Sequence, residues 1–168
     1  MLARQPIVDR TGGSHGYELL FRGGPAPTQE SEDDRATAGV LVAAACDIGW
    51  ERLSGGRPLY LNVGGGLLFD SVLEMMPPEV TVLEVLERIT VDDALAHRLH
   101  ELRGRGFRLA LDDFVPGSQA EALVGHVDVV KVDVLAVPQS DWARTVASIH
   151  ERGAVALAEK VEDLAAHE

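Results

Sequence analysis

The chain has 168 residues, 15 basic and 27 acidic, which gives a formal charge of −12 with histidines neutral. That balance argues against a nucleic-acid duplex as partner, since such a partner needs a basic face to displace counterions. An apolar share of 46% with 25% charged residues fits a globular domain, and the longest apolar run, 39–46, is far short of the ~20 residues that span a bilayer. A single cysteine, Cys46, makes no internal disulfide, and the opening Met-Leu-Ala-Arg-Gln-Pro lacks the apolar run of a signal peptide. The expected location is therefore the cytoplasm, with no membrane association.

Seven short β-type runs follow one another at 2–8, 15–21, 58–63, 80–85, 108–113, 127–132 and 154–158. Between the first two lies only Asp9-Arg10-Thr11-Gly12-Gly13-Ser14, too short for a crossover helix, so this pair is expected to be an antiparallel hairpin. Every later gap has room for a helix, which predicts a largely parallel α/β sheet. The Gly-, Pro- and acid-rich stretch 23–34 reads as an exposed loop ahead of an alanine-rich helix at 35–49. After Ile89, Thr90 offers a cap with Asp93 three residues on, while Val91, Leu95, Leu99 and Leu102 form one apolar stripe that ends at Gly104 and Gly106. With no repeat or linker in view, one domain over 1–168 is expected.

Chemistry in such sheets collects at the carboxyl ends of the strands. There the sequence places Glu18 and Arg22, then Asn62, Glu84 and Glu87, Asp112 and Asp113, Lys131 and Asp133, and finally Glu159 and Glu162. Any one of these acids could simply cap the next helix. Together they would repel and raise one another's pKa unless cations neutralise them, and an all-oxygen set suits Mg²⁺, Mn²⁺ or Ca²⁺ better than zinc. Adjacent Asp112 and Asp113 can serve one face only if the strand ends or bulges there. Paired cations with Lys131 beside them suit polarisation of a phosphoryl group and activation of water, so phosphodiester hydrolysis is the leading chemistry.

The succession Arg4-Gln5-Pro6-Ile7, Gly16-Tyr17-Glu18-Leu19-Leu20-Phe21-Arg22, Asn62, Leu83-Glu84-Val85-Leu86-Glu87, Leu111-Asp112-Asp113-Phe114, Lys131-Val132-Asp133 and Ala158-Glu159-Lys160-Val161-Glu162 resembles the EAL family of cyclic di-GMP phosphodiesterases. More narrowly, it is similar to the EAL half of the bacterial EAL-HDOD signalling proteins. The resemblance implies a modified TIM barrel with an antiparallel first strand. It also implies hydrolysis of one phosphodiester of cyclic di-GMP to linear pGpG with two divalent cations, Mg²⁺ or Mn²⁺, and inhibition by Ca²⁺. Carried over position by position, it makes Glu18, Asn62, Glu84 and Asp112 metal ligands, with Asp112 bridging and Asp113 serving the second cation. Lys131 matches the lysine that positions the water, and Glu159 the general base or a metal ligand. Gln5, Leu20, Arg22 and Asp133 match substrate contacts, Glu87 the anchor of the loop after the paired aspartates, and Glu162 a further, weaker correspondence.

Three departures accompany the likeness. The signature reads Glu-Leu-Leu rather than Glu-Ala-Leu, an apolar exchange that keeps the ligand. The loop after the aspartates carries Val115 and Pro116, which should stiffen it. The match stops before an eighth strand and before any HDOD domain, so an incomplete barrel is expected, with an open edge that would recruit a second copy or a protein partner. The alternative reading is thus a catalytically degenerate EAL domain that acts as a nucleotide-binding or protein-interaction module. An unrelated metal-dependent barrel enzyme would require the ordered motifs to be coincidence. His97 and His100 are expected to be solvated or packed on their helix, Cys46 to be an inert buried thiol, Gly64-Gly65-Gly66 to be a turn, and Trp50 and Trp142 to sit at helix ends.

Overall fold

A computed structural model describes residues 2–9, 11–21, 48–89 and 91–161. The expected loop at 23–34, the helix at 35–49 as far as residue 47, and the expectations for Arg22, Cys46, Thr90 and Glu162 lie outside the described residues. Seven strands form: β1 (Leu2–Val8), β2 (Ser14–Phe21), β3 (Leu59–Val63), β4 (Thr81–Val85), β5 (Arg108–Phe114), β6 (Val129–Asp133) and β7 (Val155–Glu159). Each overlaps an expected run. Four α-helices are described: α1 (Trp50–Ser54), α2 (Gly65–Leu68), α3 (Asp93–Gly104) and α4 (Trp142–Glu151). Trp50 and Trp142 each open a helix, as expected. The chain divides into two compact units, Met1–Leu83 and Glu84–Glu168.

In the first unit, β1 and β2 form the antiparallel hairpin that the short connection demands, with Gln5 directly opposite Glu18. Asp9 builds its turn. One carboxylate oxygen accepts from the Thr11 amide at 2.8 Å, the Thr11 hydroxyl at 2.7 Å and the Gly13 amide at 3.0 Å. These bonds, the hydroxyl's first, hold the Asp9 carboxyl below the usual carboxylate range. Arg4 ties the hairpin down: its guanidinium lies 4.5 Å from the Tyr17 ring centroid and donates to the Leu53 carbonyl at 2.6 Å. Beyond the hairpin, β2 runs parallel to β3, with Glu18 opposite Tyr60. Gly16 has to be glycine, because a Cβ there would stand 2.8 Å from the Pro58 carbonyl oxygen. Leu59, Tyr60, Val63, Leu67, Leu68 and Leu73 are buried in this unit's core.

In the second unit, β5, β6 and β7 are parallel neighbours. Helix α3 buries Leu95, Leu99 and Leu102 of the expected stripe, whose remaining member Val91 precedes the helix, and ends at Gly104. Its cap differs from the expectation. Asp92, not Thr90, takes the N-cap position and accepts from the Leu95 amide at 2.8 Å, because the helix begins two residues later than the Thr90 signal suggested. The connection from β5 to β6 is a 3₁₀ segment, Gln119–His126, rather than an α-helix. At the end of β5 the register slips: Leu111 pairs with Val130 but Phe114 with Val132, so three steps on one strand match two on the other. Asp113 takes the left-handed conformation at φ 46°. This is the bulge that two adjacent aspartates would require in order to serve one face.

Candidate functional site

Each unit gathers part of the sequence-derived residue set. In the first, the register puts Gln5 and Glu18 side by side, and Leu20, two residues on in β2, shares the face of Glu18. Gln5 is exposed, while Glu18 and Leu20 are half-buried. From β3, the Asn62 amide nitrogen donates to a Glu18 carboxylate oxygen at 3.2 Å. Among the described residues, the buried amide oxygen of Asn62 meets no hydrogen-bond donor. A buried acceptor left open beside a carboxylate is an arrangement that a hard cation would satisfy.

In the second unit the centre is Lys131 on β6, which is 2% exposed. Its ammonium lies 2.6 Å from a Glu84 oxygen, 2.7 Å from Asp112 and 2.6 Å from Glu159, so β4, β5 and β7 each send one carboxylate to it. Burial works against the charged ammonium, yet Glu84, Asp112 and Glu159 outweigh it and hold the lysine's pKa above its ordinary value. Glu84 is fully buried. The second oxygen of Glu159 accepts from the Asp113 amide at 3.4 Å, tying β7 to the bulge. Burial, with Asp112 and Asp113 nearby, pushes the Glu159 carboxyl above its usual value despite Lys131.

Asp113 and Asp133 face a second ammonium. Lys160, just beyond β7, lies 2.7 Å from Asp113 and 2.6 Å from Asp133. The other oxygen of Asp133 accepts from the Leu135 and Ala136 amides at 2.9 and 3.1 Å. The Lys160 hydrogen bond first, and these amides after it, keep the Asp133 carboxyl below its usual range. Among the described residues, five carboxylates here meet two lysines, a balance that divalent cations would redress. Its donors are all oxygens, which suits a hard cation. Among the described residues, no three His, Cys, Asp or Glu side chains are arranged as a ready cation cage.

No protein-family model matches the chain. Protein YuxH of Bacillus subtilis, itself uncharacterized, is 34% identical over 167 residues, which cover 96% of this chain and 41% of that protein. Cyclic di-GMP phosphodiesterase CdgJ of Vibrio cholerae is 34% identical over 138 residues, 81% of this chain and 32% of CdgJ. The chain therefore spans less than half the length of these two relatives. The YkuI protein of Bacillus subtilis, with an EAL domain and solved with cyclic di-GMP and calcium, superposes at a TM-score of 0.74 with 19% identity. The match covers 96% of this chain and 48% of that one.

The chain belongs to the EAL family. Its fold is the TIM-barrel-like fold of EAL domains, with the antiparallel first pair seen in the hairpin. BlrP1 of Klebsiella pneumoniae, solved with manganese and cyclic di-GMP, matches this EAL domain at a TM-score of 0.71 and 25% identity, over 98% of this chain and 50% of that one. EAL homologues accordingly bind divalent metals. Among the described residues, no helix of this EAL domain is long and apolar enough to cross a membrane. A Glu87 carboxylate oxygen lies 3.6 Å from the Arg88 guanidinium, and in the loop after the aspartates Glu121 accepts from the Gly117 amide at 2.9 Å. His97 and His100 are exposed, as expected. Sequence reasoning assigned Lys160 no role. The signal was available, since a basic residue directly follows Glu159 at a strand end.

Proposed function

We propose that this chain is the EAL module of a cytoplasmic cyclic di-GMP signalling protein and hydrolyses the dinucleotide to linear pGpG. The observation that carries the reading is the buried Lys131 ammonium, held at 2.6–2.7 Å by carboxylates from three strands, all at or near their carboxyl ends. No hydrophobic core needs such a group, and its ligands are the residues that the family pattern singles out. The open amide oxygen of Asn62 beside Glu18 supports the metal part. Glu18, Asn62, Glu84, Asp112 and Asp113 are the proposed ligands of Mg²⁺ or Mn²⁺, which when bound would polarise the phosphoryl group and acidify a water.

The protein's own groups supply the remainder. Lys131 keeps a positive charge in place where negative charge develops on the phosphoryl group. Glu159, with its carboxyl raised by burial, is suited to take the proton of the attacking water. As the water oxygen bonds to phosphorus, the P–O3′ bond breaks and the departing oxygen gains a proton, giving a 5′-phosphorylated linear product. Gln5, Leu20, Arg22 and Asp133 are the proposed substrate contacts, Glu87 the proposed loop anchor, and Glu162 a further member of the set.

Incubating the chain with cyclic di-GMP and Mg²⁺ or Mn²⁺ should release pGpG, read by chromatography, and Glu18→Ala should abolish that release. Absence of product with either metal sinks the enzymatic reading. One observation favours a second reading, a module that binds the nucleotide without turnover: Asp113 and Asp133 are both already engaged by Lys160. Calorimetry showing cyclic di-GMP binding without hydrolysis would select it.

A further inference from the structure

Among the described residues, only two that are not glycine adopt a positive φ: Asp113 at 46° and Lys160 at 58°. They are also bonded to each other, at 2.7 Å. Left-handed backbone is costly for a side chain that carries a Cβ, and such strain persists only where the surroundings enforce it. Stability does not explain it. Lys160 is 44% exposed, and ion pairs so open to water add little. What the two conformations achieve is placement. The bulge swings the Asp113 carboxylate out of the strand, and the Lys160 backbone brings an ammonium to meet it and Asp133 together.

We propose that Lys160 is a built-in counter-cation that takes the place of a second divalent ion at Asp113, so that this chain holds one such ion tightly and admits another only by expelling the lysine. This rests on the metal-dependent reading above and narrows it. A divalent ion bound at ~2.1 Å from an Asp113 oxygen would share that carboxylate with an ammonium already in contact with it, and the two cations repel. Asp133 offers no relief, since one of its oxygens is used by the Leu135 and Ala136 amides and the other by Lys160.

Mn²⁺ titration of the whole chain, with free Mn²⁺ followed by electron paramagnetic resonance, tests this without any turnover. Wild type should show one tight site. Lys160→Gly, which also relaxes the backbone, and Lys160→Gln should each gain a second site at least tenfold tighter than any second site of wild type. Adding Asp113→Asn to Lys160→Gly should remove the gain, and Lys160→Arg should behave as wild type. A gained site cannot be produced by misfolding. Two sites in wild type, unchanged in both variants, overturn the role of Lys160 while leaving the metal reading in place, and so does a single site in all three. No Mn²⁺ bound by any form overturns both.

Discussion

Lys131 is the side chain whose removal the second unit should tolerate least. Its ammonium is nearly inaccessible and touches three carboxylates, of which Glu84 is fully buried. Taking away one partner of a buried ionic group leaves uncompensated charge, at a cost of about 3–5 kcal/mol. Lys131→Met, similar in length and uncharged, should therefore lose about that much stability in urea unfolding at neutral pH. The pH dependence follows from the direction of the shifts. Because the folded-state pKa of Lys131 lies above its ordinary value, its contribution is complete below that ordinary value and is lost only as pH rises through the higher one. Between acid and mildly alkaline pH the lysine does not titrate, so only the carboxylates can respond. Glu159 is already raised by burial and takes up a proton early as pH falls. The deficit of Lys131→Met should shrink as pH drops from neutral toward the ordinary carboxylate range. A deficit under about 1 kcal/mol at neutral pH, the level of an exposed pair, would show that the cluster is not the buried knot described.

Strand positions were legible because alternating and continuous apolar runs are bounded by turn residues, and the hairpin was legible because six residues cannot make a crossover. The bulge was legible as a requirement, since neighbouring aspartates point to opposite faces of a regular strand. Its hand and its partner were not, because the left-handed Asp113 depends on contacts with Glu159 and Lys160 from a strand over forty residues away. The α3 cap was misplaced for a local reason: Thr90 and Asp92 are both good caps, and the choice falls to the residue from which the helix can still present Leu95, Leu99 and Leu102 to the core. Asp92→Ala should then cost about 0.5–2 kcal/mol in chemical denaturation, while Thr90→Ala should change stability by less than about 0.5 kcal/mol. Equal losses from the two would return the cap to Thr90.

A net charge of −12 on 168 residues makes the whole molecule sensitive to ions in two different ways, and they can be separated. General screening of self-repulsion depends on ionic strength alone, and at about 0.15 M salt it already operates over roughly 8 Å. Specific binding depends on which cation is present. If the proposed ligands hold a cation, Mg²⁺ or Mn²⁺ stabilises the folded state by mass action, by about 2.7 kcal/mol when present at a hundredfold excess over Kd. For a chain of this size that corresponds to a rise in Tm of roughly 5–11 °C. Magnesium chloride added to the chain in buffered saline should produce this rise, and sodium chloride of equal ionic strength should not. Calcium should stabilise too while supporting no release of pGpG, since occupying oxygen ligands and activating a water are separate demands on the ion. Glu18→Ala should remove most of the magnesium-dependent increment and keep the small response to sodium chloride. Equal rises with the two salts would mean that the acids of this chain respond to ions only as surface charge, and the ligand assignment would fall with that result.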